Sequence, residues 1–241
     1  MDQPELTLSV QDDEQALLQG VSAQDARDGD VTASLVVESV RGMVSEKKFT
    51  VTYAAFDRAG NVAKAQRTVH YEDYTSPHFV LTAPLIFRAS TVLNIFNVVS
   101  AEDVFDGTIK DRVKGSLVSE EREIADAGTY TVEFRVTNSL GDTSYLTVPV
   151  EVYSGENGSA TVALTDYLVY LKRGGSFDPE KYLSRLTAGG RRIDLKAQRS
   201  ECGISWDSEV DMNTPGIYCV NYTVEYGSYI GYTRLIVVVE D

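Results

Sequence analysis

One strand is written three times in this chain, and that repetition limits the fold more than any other feature. The clearest copy is Ala127-Gly128-Thr129-Tyr130-Thr131-Val132-Glu133-Phe134-Arg135-Val136-Thr137-Asn138. Tyr130, Val132, Phe134 and Val136 fall on one side, and Thr131, Glu133, Arg135 and Thr137 on the other. Side chains of an extended chain alternate between faces, so this pattern marks a strand buried on one face and wet on the other. The other copies run from Lys48 to Asp57 and from Pro215 to Glu225. Over 241 residues this spacing predicts three domains, 1–73, 74–154 and 155–241. Each is the size of a sandwich closed by about seven short strands. The expected fold is all-β: three tandem Ig-like β-sandwich domains in an elongated arrangement. A hydrophobic content of 43% is enough to build real cores.

The chain in order supports this plan. In the first repeat, Leu6–Val10, Leu17–Ala23, Leu35–Val40 and Phe49–Phe56 read as strands. Asp57-Arg58-Ala59-Gly60-Asn61 is a hairpin turn, and Val62–Tyr71 leaves the domain. The second repeat restates the plan. Phe79–Leu81 and Leu85–Phe87 are its early strands, Val92–Ser100 leads into the acidic loop, and Val99-Ser100-Ala101-Glu102-Asp103 matches Val21-Ser22-Ala23-Gln24-Asp25 at an offset of 78. Asp106-Gly107 and Asp28-Gly29 keep that offset. The third repeat has drifted. Gly189-Gly190 stands where the acidic loop would be, and Asp178-Pro179 opens a short helical turn with Asp178 as its cap.

The net charge is −14, with an acidic excess in each of the three repeats. Such a surface repels phosphate backbones and anionic membranes, which excludes nucleic acid and membrane contact by this segment. No apolar run approaches the roughly 18 residues of a membrane span. Met1-Asp2-Gln3-Pro4-Glu5 is not a signal peptide, so any export signal or anchor is expected outside these residues.

Three sets of residues are candidate sites. The first is acidic. Strand parity puts the loop after the second strand and the loop after the sixth at one end of a sandwich. Asp25, Asp28 and Asp30 then lie beside Asp57 and Asn61 in the first repeat. Asp103 and Asp106 lie beside Asn138 and Asp142 in the second, with Glu72 and Asp73 of the linker within reach. Converging carboxylates suit calcium, a hard cation that takes six to eight oxygens. The competing reading is that these residues cap turns. The second set is Cys202 and Cys219, the only cysteines. They form one disulfide across neighbouring strands or remain two thiols. The third set is aromatic: Trp206, Tyr226, Tyr229 and Tyr232 either stack on a sugar or pack the last hairpin. No nucleophile motif or phosphate-cradling glycine loop occurs, and an enzyme is not expected.

The segments Val21–Asp25, Asp28–Thr32, Phe49–Tyr53 and Asp57–Asn61 resemble the bacterial Ig-like surface-protein domains that overlap with hyalin-type and cadherin-like repeats. The second repeat keeps Gly128-Thr129-Tyr130, and the third keeps Pro215-Gly216-Ile217-Tyr218. The resemblance implies an exported, extracellular or surface-held protein whose sandwiches serve as a stalk or recognition module. It implies no catalytic residues, and no cofactor is expected beyond the calcium that the acidic loops suit. Expected partners are a host or cell-wall protein or a glycan, met by a monomer. The other functional expectation is a carbohydrate-binding accessory segment of a larger secreted enzyme.

Overall fold

The computed structural model describes residues 4–43, 48–89, 94–118, 124, 126–155 and 158–241. The chain is all-β, with strands joined by turns and by 3-10 turns of three to five residues. It forms two compact units. The first comprises Met1–His78, Glu102–Arg112 and Val136–Ser144, and the second Phe79–Ala101, Val113–Arg135 and Tyr145–Asp241. Two loops of the second repeat therefore belong to the same compact unit as the first repeat.

The first repeat contains β1 (Glu5–Leu8), β2 (Gln24–Asp25), β3 (Gly29–Asp30), β4 (Val36–Met43), β5 (Lys48–Phe56) and β6 (Val62–Tyr71). The second contains β7 (His78–Leu81), β8 (Ile86–Arg88), β9 (Val99–Asp103), β10 (Gly107–Thr108), β11 (Lys114–Leu117), β12 (Gly128–Thr137) and β13 (Thr143–Tyr153). The third contains β14 (Ala160–Leu164), β15 (Leu168–Lys172), β16 (Leu183–Ala188), β17 (Arg191–Asp194), β18 (Gly203–Ser208), β19 (Gly216–Tyr226) and β20 (Tyr229–Glu240).

Each repeat has a four-stranded sheet with the repeated strand inside it: β1-β6-β5-β4, β11-β12-β13-β8 and β15-β20-β19-β18. In each, a short early strand pairs in parallel with the exit strand, as Glu5 with Thr68, Glu151 with Ile86 and Leu168 with Ile236. Three sheets thus share one connectivity. The alternation read from β12 is the burial observed: Tyr130, Val132, Phe134 and Val136 are buried, and Thr131, Arg135 and Thr137 are exposed. Phe49, Val51 and Tyr53 of β5 join Val69, Tyr71, Leu8, Leu17 and Tyr74 in the first core. Each such side chain contributes about 1.5–3 kcal/mol through removal from water.

One expected strand is different, and the lead-in to β9 is only partly extended. Leu17–Ala23 is not a strand: Glu14–Leu18 is a 3-10 turn whose first free N–H groups are met by Asp13, which accepts from Ala16 N at 3.1 Å. The turn buries Ala16 and Leu17, which is what their hydrophobicity requires without extended backbone. Val92–Ser100 begins as a strand only at Val99. Ile95–Asn97 is another 3-10 turn, capped by Asn94 through Phe96 N at 3.1 Å, and residues 90–93 lie outside the described residues. The turn at Pro179–Tyr182, capped by Asp178, is as the sequence indicates.

Candidate functional site

The acidic loops are built the same way twice. In the second repeat, β9 delivers Asp103, and its Oδ1 accepts from Phe105 N (2.9 Å) and Asp106 N (3.0 Å). Asp106 Oδ2 accepts from Ser139 N at 2.6 Å, which ties this loop to the hairpin after β12. That hairpin closes on itself through Asn138 N to Asp142 O (2.9 Å), and Asn138 Oδ1 accepts from Leu140 N and Asp142 N. In the first repeat, Asp25 Oδ1 accepts from Arg27 N and Asp28 N, both at 2.8 Å. Asp28 Oδ2 accepts from Arg58 N (2.9 Å), and Asp57 Oδ1 accepts from Asn61 N (2.7 Å). Parity therefore brings together the loops that it was expected to. Asp30 serves its own turn, with Oδ1 accepting from Thr32 N at 2.8 Å.

The two clusters differ in what covers them. Above the second lies Tyr74, only 3% exposed. Its hydroxyl donates to Asp142 Oδ2 (2.7 Å) and accepts from Asn138 Nδ2 (2.9 Å), which also donates to Asp103 Oδ2 (3.0 Å). Asp103, Asn138 and Asp142 are all buried. Asp142 Oδ1 has no hydrogen-bond partner. Around this polar centre stand aromatic rings. Tyr74 meets Phe49 edge-on at 5.0 Å and stacks with Phe105 at 5.8 Å, while Tyr71 meets Phe105 at 5.2 Å. Leu140 packs against the first core, and its carbonyl accepts from Gly42 N at 2.9 Å. The loops of the second repeat are thus held by the linker's Tyr74 hydroxyl and by a backbone bond and a ring cluster shared with the first repeat.

These contacts set the titration of the groups involved. Burial, then the hydrogen bond to Asp142, pushes the Tyr74 hydroxyl far above the ordinary tyrosine range. Burial works to raise the Asp106 carboxyl, but hydrogen bonds from Ser139 and the Arg112 guanidinium outweigh it and hold the group below its ordinary 3.8. Hydrogen bonds from Asn61 lower Asp57, and those from Thr32 lower Asp30.

Among the described residues no group of three or more His, Cys, Asp or Glu side chains is gathered closely enough to hold a metal. Oδ1 of Asp25, of Asp57 and of Asp103 accepts from loop N–H groups, and the Asn61 and Asn138 amides present donors to Asp57 and Asp103 where a cation would need an acceptor. Of the two linker carboxylates, Asp73 accepts from Ser9 Oγ (2.7 Å) and Val10 N (2.8 Å), within the first repeat.

The other two candidate sets are dispersed. Cys202 and Cys219 are free thiols, not a disulfide. In the β18–β19 ladder Gly203 faces Glu225 and Ser208 faces Val220, so the cysteines are at opposite ends. That is roughly 20 Å at about 3.3 Å per residue, against the roughly 7 Å limit for a bridge. Burial raises both thiols. The aromatic set makes no platform. Trp206 is opposite Tyr222, and Tyr232 is opposite Thr223, one position on and hence on the other face. Tyr226 and Tyr229 pair across the hairpin and pack against the third core.

Sequence reasoning passed over two residues that matter here. Tyr74 lies beyond β6, where alternation no longer assigns a face. Arg67 shares parity with Val69 and Tyr71, and that was the available signal. It is 3% exposed, donates to Leu17 O (2.6 Å) and Gln19 O (2.7 Å), and lies over the Tyr53 ring.

No family model and no curated protein matches the chain. Among solved structures it is similar to the extracellular cadherin domains 1–5 of protocadherin gamma B2, at 13% identity and a TM-score of 0.23. That match covers 95% of this chain and 51% of the other. The protocadherin gamma B4 extracellular domain follows at 10% identity and 0.23, covering 100% and 49%. A third is the M60 catalytic domain with two CBM51 domains of Clostridium perfringens ZmpB, at 12% and 0.26, covering 98% and 30%. The chain spans about half the length of the first two. The chain's own connectivity defines its class: an all-β protein of tandem Ig-like sandwiches. Among the described residues, no helix is long and apolar enough to cross a membrane.

Proposed function

We propose that this chain is a non-catalytic structural or adhesive segment of a bacterial surface or secreted protein. Its loops are fastened to the preceding repeat so that they act as one body. The observation that carries this reading is the Tyr74–Asp142–Asn138–Asp103 network. A buried polar network with nearly every member paired specifies a single arrangement of the groups that make it. Here the carboxylates, the residues with the most chemistry to offer, are engaged in holding loops. A host or cell-wall protein or a glycan is the proposed partner, outside the cell. Glycan recognition by the third repeat is the weaker reading, because Trp206 and Tyr232 lie on opposite faces of its sheet.

Single-molecule stretching of the full chain tests the mechanical reading. Loss of the Tyr74 hydroxyl in Tyr74→Phe is expected to lower the force at which the first compact unit opens. An unchanged force for that unit would count against the proposal. Incubation with a glycan array and with cell-wall preparations would separate the two partner classes.

A further inference from the structure

The first repeat carries an uncovered copy of the socket that Tyr74 fills in the second. Asp25 corresponds to Asp103 and Asp28 to Asp106 at an offset of 78. Asp57 and Asn61 correspond to Asn138 and Asp142 at 81. The backbone hydrogen bonds largely agree, although Asn61 Nδ2 donates to Asp57 Oδ2 at 2.6 Å where Asn138 Nδ2 donates to the Tyr74 hydroxyl and Asp103 Oδ2. Asp25 and Asp103 each take the two N–H groups that follow in their loop. Asp28 takes Arg58 N as Asp106 takes Ser139 N. Asp57 N reaches Asn61 O at 3.1 Å, as Asn138 N reaches Asp142 O at 2.9 Å. In the second repeat the resulting surface is buried under a linker tyrosine. In the first, Asp25 and Asp57 are half-buried and Asn61 is exposed.

We infer that this end of the first repeat is a docking site for the end of another sandwich domain, joined ahead of it and presenting a tyrosine from its linker. The inference rests on the reading of the Tyr74 network as a fastening. Three features complete the fit. The Asp–Asn pair is present with its two members exchanged, and its Asn61 Nδ2 to Asp57 Oδ2 bond (2.6 Å) is the one an arriving hydroxyl would take over. Arg27 occupies the position of Phe105 and offers a guanidinium to an aromatic face, a favourable cation–π contact. Phe56 and Val62, opposite each other and 41% and 50% exposed, flank the turn where the second repeat has Thr137 and Thr143. That pair adds apolar area for a neighbour to cover.

Two measurements test it. In the intact chain, the exchange Asn138→Asp with Asp142→Asn installs the first socket's pair beneath Tyr74. The double variant is expected to keep amide protection of Leu140 within about threefold of wild type, while each single variant loses about tenfold or more. A double variant as weakened as the singles overturns the inference. Second, a further copy of residues 1–77 is fused ahead of the chain. Amide exchange at Asp28, Arg58 and Asn61 is expected to slow about tenfold or more, and to recover when the added copy carries Tyr74→Phe. No slowing overturns the inference. Amides in the added copy's own strands report whether it folds, and where they are unprotected the paired exchange decides. Failure of Tyr74→Phe to affect the original junction would instead remove the reading on which both rest.

Discussion

Tyr74 shows how much one hydroxyl can hold. It donates to a carboxylate that is 1% exposed and whose other oxygen has no partner. Tyr74→Phe keeps the ring contacts and leaves Asp142 without its donor. Hydrogen bonds to charged groups are worth about 1.5–3 kcal/mol, and the first unit is expected to lose that much stability in urea. Trp206 is the only tryptophan, so its fluorescence follows the third repeat and should not move. Asp106 gives a pH signature. Its folded carboxyl titrates below 3.8, so its contribution is fully present above that value and is lost as pH falls through the lower, folded value. Asp106→Asn should therefore flatten the acid end of the stability profile of the first unit and leave its neutral shape alone. Neither Tyr74 nor Arg67 was assigned from sequence. A residue past the end of a strand has no periodicity to place it, and a charged residue with core parity is ordinarily read as outward-facing.

At the scale of elements, the repeated strands were legible because burial on one face imposes a period of two that survives in β5, β12 and β19. The 3-10 turns were not. Leu17 and Ile95 are apolar and buried in either conformation, and only the short caps Asp13 and Asn94 betray the turn. The loops were legible through their asparagines, aspartates and glycines, and parity placed them at one end. Gly141 in the second hairpin sits at φ +90 with nothing within 4 Å of an added Cβ. Gly141→Ala should thus cost about 1–2 kcal/mol through backbone strain alone, with no crowding to relax. Tyr130→Ala in β12 is a different kind of change. It truncates a buried ring and should cost about 3–5 kcal/mol. A urea midpoint for each variant checks both figures.

At the scale of the whole molecule, the two compact units do not follow the three sequence repeats, because Glu102–Arg112 and Val136–Ser144 join the first repeat. Repeat boundaries are set by the chain's connectivity, whereas the units are set by contacts such as those of Tyr74, which the sequence pattern does not show. Intact-mass analysis with thiol labelling should find two reactive cysteines after denaturation, with or without prior reduction. Calcium added to chelator-treated protein should release no heat and leave the melting temperature unchanged. Tyr74 makes the 103–106 and 138–142 loops part of the first body. Amide hydrogen exchange of wild type against Tyr74→Phe tests it most directly. Leu140 and Asp142 should exchange slowly in wild type and at least about tenfold faster in the variant, with β19 and β20 unchanged. Equal rates at Leu140 and Asp142 in the two proteins would contradict it.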